Sequence, residues 1–241
     1  MVDGSHVVEV TTDLGFEVSL TEARLMVVDL EFTTAGELHT ARVTPSIGRF
    51  FMSTAYAHPG HYEGGEVIGE AKGRFLVDWF EGDGAELGTA TLIASDYTSA
   101  NFTFGRGEDE LDAEDLLRGH TAVLGGVARR DGFELAFTFV VDAPEDRLLV
   151  GAPFEATIAE NEDGEILFRL QPQDELGTDT LFDSVDFESL DADGDGEVLI
   201  DSASTEDAEI DAYNQLKRRL QTHNHYGFVY RPLAGGPGGS P

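Results

Sequence analysis

The chain has 241 residues and sets 15 Lys and Arg against 47 Asp and Glu, for a formal charge of −32. Phosphates are held by basic patches, so an ordinary nucleic-acid-binding surface is excluded. A hydrophobic fraction of 41% with 16 Phe and 6 Tyr excludes a disordered acidic tail, and the length suffices for a core without covalent staples.

Period-2 alternation with β-branched and aromatic residues dominates up to about residue 172. In chain order it predicts strands at His6 to Thr12, Phe16 to Leu20, Arg24 to Thr33, Leu38 to Val43, Glu66 to Ile68 and Gly73 to Glu81. Further strands are predicted at Glu86 to Ile93, Ala100 to Arg106, His120 to Arg129, Phe133 to Asp142, Phe154 to Glu160 and Glu165 to Gln171. Glu81-Gly82-Asp83-Gly84, Arg130-Asp131-Gly132 and Glu162-Asp163-Gly164 each place Asp-Gly between apolar runs, the signal of a hairpin turn. Asp109 to Arg118 reads as a short surface helix. Many short strands with tight turns predict an antiparallel β-sandwich or barrel over 1–172.

Beyond Pro172 the texture changes, and 173–233 reads as an acidic loop and helix packed on the sandwich. Thr180 to Leu190 suggests a short helix or turn. Glu206 to Thr222 carries the strongest helical period, with Ile210, Tyr213, Leu216 and Leu220 on one face. Acidic residues open this helix and Lys217, Arg218 and Arg219 close it, matching the macrodipole. Residues 234–241 (AGGPGGSP) read as a flexible tail.

Carboxylates spread along the chain, with only Lys72 and Lys217 as lysines, suit a salty medium that screens their repulsion. Cysteine is absent, so thiolate chemistry is excluded and soft-metal binding must use histidine. No apolar run reaches the ~18 residues of a membrane span, and Met1 to Ser5 has no signal-peptide core. A strand-like run so near the start suits a mature exported domain freed of its leader. The alternative is the cytoplasm of a salt-accumulating organism.

Four of the seven histidines fall in two pairs. His58 and His61 flank a Pro59-Gly60 turn, with Tyr62, Glu63 and Glu66 beside them. His223 and His225 follow the long helix at a spacing that, in extended backbone, turns both rings to one face. Together the pairs form a candidate site for Zn or Cu, with Glu63, Glu66 or Tyr62 replacing one nitrogen or holding a ligating ring in place. Each pair also has a plain reading, as a polar turn and as a helix C-terminal cap. His39 and His120 stand alone and read as strand-surface or packing residues.

Asp191-Ala192-Asp193-Gly194-Asp195-Gly196-Glu197-Val198 forms a second constellation. Carboxylates at loop positions one, three and five, Gly at six and an aliphatic residue at eight suit the hard oxygen coordination of Ca. The run resembles the calcium loops of EF-hand and dockerin proteins. Position twelve is Ser202 in place of the bidentate Glu, leaving the Glu197 carbonyl and Asp201 at position eleven as further ligands.

The runs Val18 to Phe32, Phe75 to Asp78 and Leu87 to Phe104 resemble exported β-sandwich lipoproteins, including the copper-associated partner proteins of diheme peroxidases. The resemblance implies an extracytoplasmic place, at the periplasm or cell surface with a lipid anchor before maturation, and metal binding beside a membrane-bound or surface partner. Trp79 has no histidine neighbour, so no functional residue is carried over. GxSxG, P-loop and HExxH signatures are absent, which favours a non-catalytic role. The reading is an exported metal-binding protein with a structural calcium loop. A calcium-stabilised adhesion module without transition metal and a metal-dependent hydrolase are the alternatives.

Overall fold

The computed structural model describes residues 9–34, 65–80, 87–108, 111–144, 147–174, 177 and 179–233. The first two strands are β1 (Glu9–Thr11) and β2 (Glu17–Thr33), then β3 (Val67–Asp78), β4 (Thr91–Leu92), β5 (Ser95–Phe104) and β6 (Ala122–Arg130). After β7 (Phe133–Val141), β8 (Leu148–Ile158) and β9 (Gly164–Leu170) come β10 (Glu197–Ile200), the helix α1 (Asp207–Arg219) and β11 (Tyr226–Pro232). Over the described residues the protein is mainly β, with one α-helix near the C-terminal end and open sheets.

β2 organises the larger sheet. At Arg24 it faces Asp78 of β3 on one edge and Val123 of β6 on the other. Its first half pairs with β6 and β1, and its second half with β5 and β3. One strand therefore joins two sheet halves. The expected strands Phe16 to Leu20 and Arg24 to Thr33 are one element, as are Glu66 to Ile68 and Gly73 to Glu81. Irregularities at Leu20/Glu22 and Val28/Leu30 break the alternation inside β2 and hide its continuity. At the second, Asp29 has φ +51° and its carboxylate accepts the Gly73 N–H at 2.9 Å.

β6 and β7 form the hairpin expected at Arg130-Asp131-Gly132, with Asp131 and Gly132 at φ +50° and +89°. The Glu162-Asp163-Gly164 turn does not make a hairpin: β8 pairs with β5, whereas β9 crosses away and pairs with β11. The resulting two-stranded ribbon lies over the sheet. Phe168 and Phe228, register partners stacked at 4.4 Å, place the ribbon against Phe102 and Phe32. Tyr226 is fully buried, and its hydroxyl donates to the Leu220 carbonyl at 2.8 Å. A second aromatic group, Phe16, Phe137, Phe182 and Phe187, fills the other half beneath β6 and β7.

Three further expectations are corrected. Residues 111–118 form turns, not a helix, because Asp115 holds Arg24 through both carboxylate oxygens and accepts the Leu117 N–H, while Leu117 is buried. Ile210 is exposed, and the packed face of α1 is Ala212, Tyr213, Leu216 and Leu220. The acidic run to Asp201 contains β10, which adds to the sheet parallel to β7. Among the described residues no helix is long and apolar enough to cross a membrane. The predicted Leu38 to Val43 strand, the Glu81 to Gly84 turn and 234–241 lie outside the described residues.

Candidate metal centre

Leu190, buried at the end of a 3-10 turn over Phe187–Ser189, holds the start of the acidic loop. Its other end is held by β10, where the Gly196 carbonyl accepts the Ala136 N–H at 2.9 Å and Ile200 is fully buried. Between these anchors Gly194 and Gly196 take φ +74° and +81°, a region that a Cβ disfavours. The carboxylate of Asp191 accepts the Gly196 N–H at 3.2 Å, and that of Asp195 accepts the Glu197 N–H at 2.9 Å.

The chain so curled brings one oxygen each from Asp191, Asp193 and Asp195 within 4.8 Å of one another. Among the described residues no other set of three His, Asp or Glu side chains gathers as closely. Three acceptor-only groups of one sign, half-buried to exposed, form a hard oxygen donor set suited to a divalent cation. Asp201 does not join them: its carboxylate accepts the Ala203 N–H at 2.7 Å inside its own turn. Glu197 is exposed and begins β10, in register with Ala136.

The histidine constellation is only partly within view. His58, His61, Tyr62 and Glu63 lie outside the described residues, and Glu66 is exposed just before β3. His223 and His225 share a 3-10 turn, not extended backbone, so the one-face argument from alternate residues does not apply. His223 is half-buried, and burial lowers its pKa. His225 is fully buried, with Nδ1 3.0 Å from the Gln171 carbonyl, and among the described residues its Nε2 has no hydrogen-bond partner. The same Gln171 donates its backbone N–H to the His225 carbonyl at 2.8 Å, the rung that starts the ribbon.

Burial pushes the His225 imidazole below its usual 6.5, and Arg219 adds to this, whereas the Gln171 hydrogen bond, Asp179 and Asp174 oppose it. The folded chain therefore resists a proton that the unfolded chain accepts. Stability is full above about pH 6.5 and falls as the pH drops below it, by at most about 1.4 kcal/mol per pH unit. Urea unfolding from pH 7.5 to 5 checks this. His225→Asn keeps an N–H for Gln171 without titrating, and is expected to flatten the slope relative to wild type.

One buried-edge pair escaped sequence reasoning. His120 Nδ1 lies 3.0 Å from Asp142 Oδ1, which also accepts from Arg106 at 3.0 Å, while the Asp142 N–H donates to the Tyr213 hydroxyl at 3.1 Å. The dyad ties the open end of the β6–β7 hairpin to α1. Hairpin register was the available signal: pairing Ala122 with Val141 brings Asp142 beside His120. Compared with family models, curated proteins and solved structures, the chain matches none.

Proposed function

We propose that the chain is a non-catalytic, exported β-sandwich module in which a calcium-class ion, bound by Asp191, Asp193 and Asp195, fastens the C-terminal segment to the sheet. The convergence of three carboxylates on a turn that runs straight into β10 carries this reading. An ion there neutralises like charges held close together and stiffens the entry to a strand that must stay paired with β7. The ribbon packed over the sheet supports the sandwich, and the excess of carboxylates supports a salty, extracytoplasmic setting with a surface or membrane-bound partner.

Calcium titration of the full chain in high salt, by calorimetry and thermal unfolding, tests the proposal. One saturable equivalent is expected, with stabilisation of about 2.7 kcal/mol at a free concentration one hundred times Kd. Asp193→Asn with Asp195→Asn should abolish both. Equal binding by wild type and the double variant would falsify the site.

A second reading, a Zn or Cu site using His58, His61, His223 and His225, draws on one observation. A ligating imidazole commonly donates its other ring N–H to a carbonyl, and His225 points Nδ1 at the Gln171 carbonyl while Nε2 has no hydrogen-bond partner among the described residues. Zinc and copper retention after dialysis, lost in His225→Asn, is its expected signature.

A further inference from the structure

Four Asp-Gly pairs lie among the described residues, at 131–132, 163–164, 193–194 and 195–196. The bond after such an aspartate can rearrange without an enzyme, because the glycine nitrogen attacks the side-chain carboxyl carbon and no Cβ obstructs the approach. The reaction needs a glycine N–H not engaged elsewhere, a carboxyl free to turn onto it, and backbone that moves without breaking other contacts.

The fold withholds at least one of these from three pairs. At 131–132 both residues take positive φ in the two-residue turn that pairs Arg130 with Phe133, so rotation there undoes the hairpin. At 163–164 the Asp163 carbonyl accepts the Leu233 N–H at 2.9 Å, and Gly164, paired with Pro232, lies under the Tyr230 ring. At 195–196 the Gly196 N–H donates to Asp191 at 3.2 Å, the Gly196 carbonyl accepts the Ala136 N–H, and the Asp195 carboxylate accepts the Glu197 N–H. Asp193 and Gly194 meet all three conditions. Both are exposed, and a Cβ on Gly194 would meet nothing within 4 Å. Among the described residues the Gly194 N–H donates no hydrogen bond, and the Asp193 carboxylate accepts only the Asp195 N–H, at a long 3.4 Å.

We propose that Asp193-Gly194 is a self-modifying site that converts to isoaspartate and so limits the life of the carboxylate gathering around it, an inference that rests on the cation site proposed above. The Gly194 nitrogen bonds to Cγ of the protonated Asp193 carboxyl, whose hydroxyl leaves with the amide hydrogen as one water, closing a five-membered imide. A water then adds at the main-chain carbonyl carbon of Asp193, and the bond from that carbon to nitrogen breaks. The water lost is thus regained, and the chain now runs through Cγ. It is longer by one methylene, while the pendant carboxylate sits one carbon closer to it, which withdraws its oxygen from Asp191 and Asp195. A bound divalent cation keeps the carboxylate ionised and fixed, the state that does not cyclise, so occupancy protects the bond.

The fresh full chain is titrated with calcium by calorimetry. It is then aged in mildly acidic buffer with a chelator, or with free calcium at about ten times Kd, where only the unoccupied fraction reacts and conversion is expected to slow about tenfold. Electron-transfer dissociation of its peptides separates isoaspartate from aspartate. Under the chelator, about fivefold more isoaspartate is expected at Asp193 than at Asp131, Asp163 or Asp195, the factor that one retained hydrogen bond imposes. Calcium binding should fall in step with conversion. Fresh chain that binds calcium but isomerises evenly at the four positions overturns this inference and leaves the cation site standing, and so does binding undiminished after conversion. Isoaspartate concentrated at Asp193 at one rate with and without calcium overturns the cation site, and the protection with it.

Discussion

Truncating Phe102 to alanine is expected to lower the unfolding free energy by about 3–5 kcal/mol. Phe102 is fully buried and sits where three surfaces meet, with ring centroids 5.4 Å from Phe104 on its own strand, 5.2 Å from Phe168 of β9 and 5.0 Å from Tyr226 of β11. Phe168 and Tyr226 cannot fully close on the void, because Phe168 is held by Trp79 and Phe228 and Tyr226 by its hydroxyl bond to the Leu220 carbonyl. Against a total of about 5–15 kcal/mol, such a loss leaves the chain marginal. Guanidinium unfolding at fixed high salt, followed by Trp79 emission and far-ultraviolet dichroism, measures it. A cost under about 1.5 kcal/mol would mean that the ribbon is not seated on Phe102.

A methyl group added at Gly126 is expected to cost about 3 kcal/mol, although the change buries more carbon. A Cβ there would lie 2.3 Å from the Ser19 carbonyl oxygen, 3.0 Å from the Phe137 ring and 3.1 Å from Leu20 Cα. Two of these three atoms are backbone of β2, at the irregularity between Leu20 and Glu22, so relief requires the sheet to part. Gly132→Ala is the informative contrast. Its neighbourhood is open, and only its φ of +89° penalises a side chain, at about 1 kcal/mol. Comparable losses at both positions would show that β2 and β6 do not approach this closely.

Local chemistry was legible wherever one short-range rule decided the outcome. Asp131-Gly132 specified a hairpin because two consecutive positive φ values leave few residue choices, and the charge gradient from Asp207 to Arg219 marked α1 to within a few residues. The gathering of Asp191, Asp193 and Asp195 follows similarly from spacing and two glycines.

What stayed hidden depends on partners distant in sequence. Bulges reset the alternation of β2, so one strand resembled two. β10 was masked by Glu197 and Asp201 at its ends, since only the parallel neighbour β7 makes Glu197–Ile200 a strand. The Glu162 to Gly164 turn has hairpin chemistry, yet β9 pairs with β11, where Phe168 stacks on Phe228 and packs against Phe102, contacts between residues far apart in sequence. The His120–Asp142 pair arises from that topology and has no local signature.

The ribbon also dictates an order of events at the ribosome. Phe102 and Phe154 emerge long before Tyr226 and Phe228, which must arrive to cover them, and translation supplies roughly 5–20 residues per second. For seconds the nascent chain presents a bare aromatic face that no earlier segment of the ribbon can sheathe, since among the described strands β9 pairs with β11 alone. Final compaction is thereby deferred until β11 has emerged, which until then holds the polypeptide in a form that holdases can still engage.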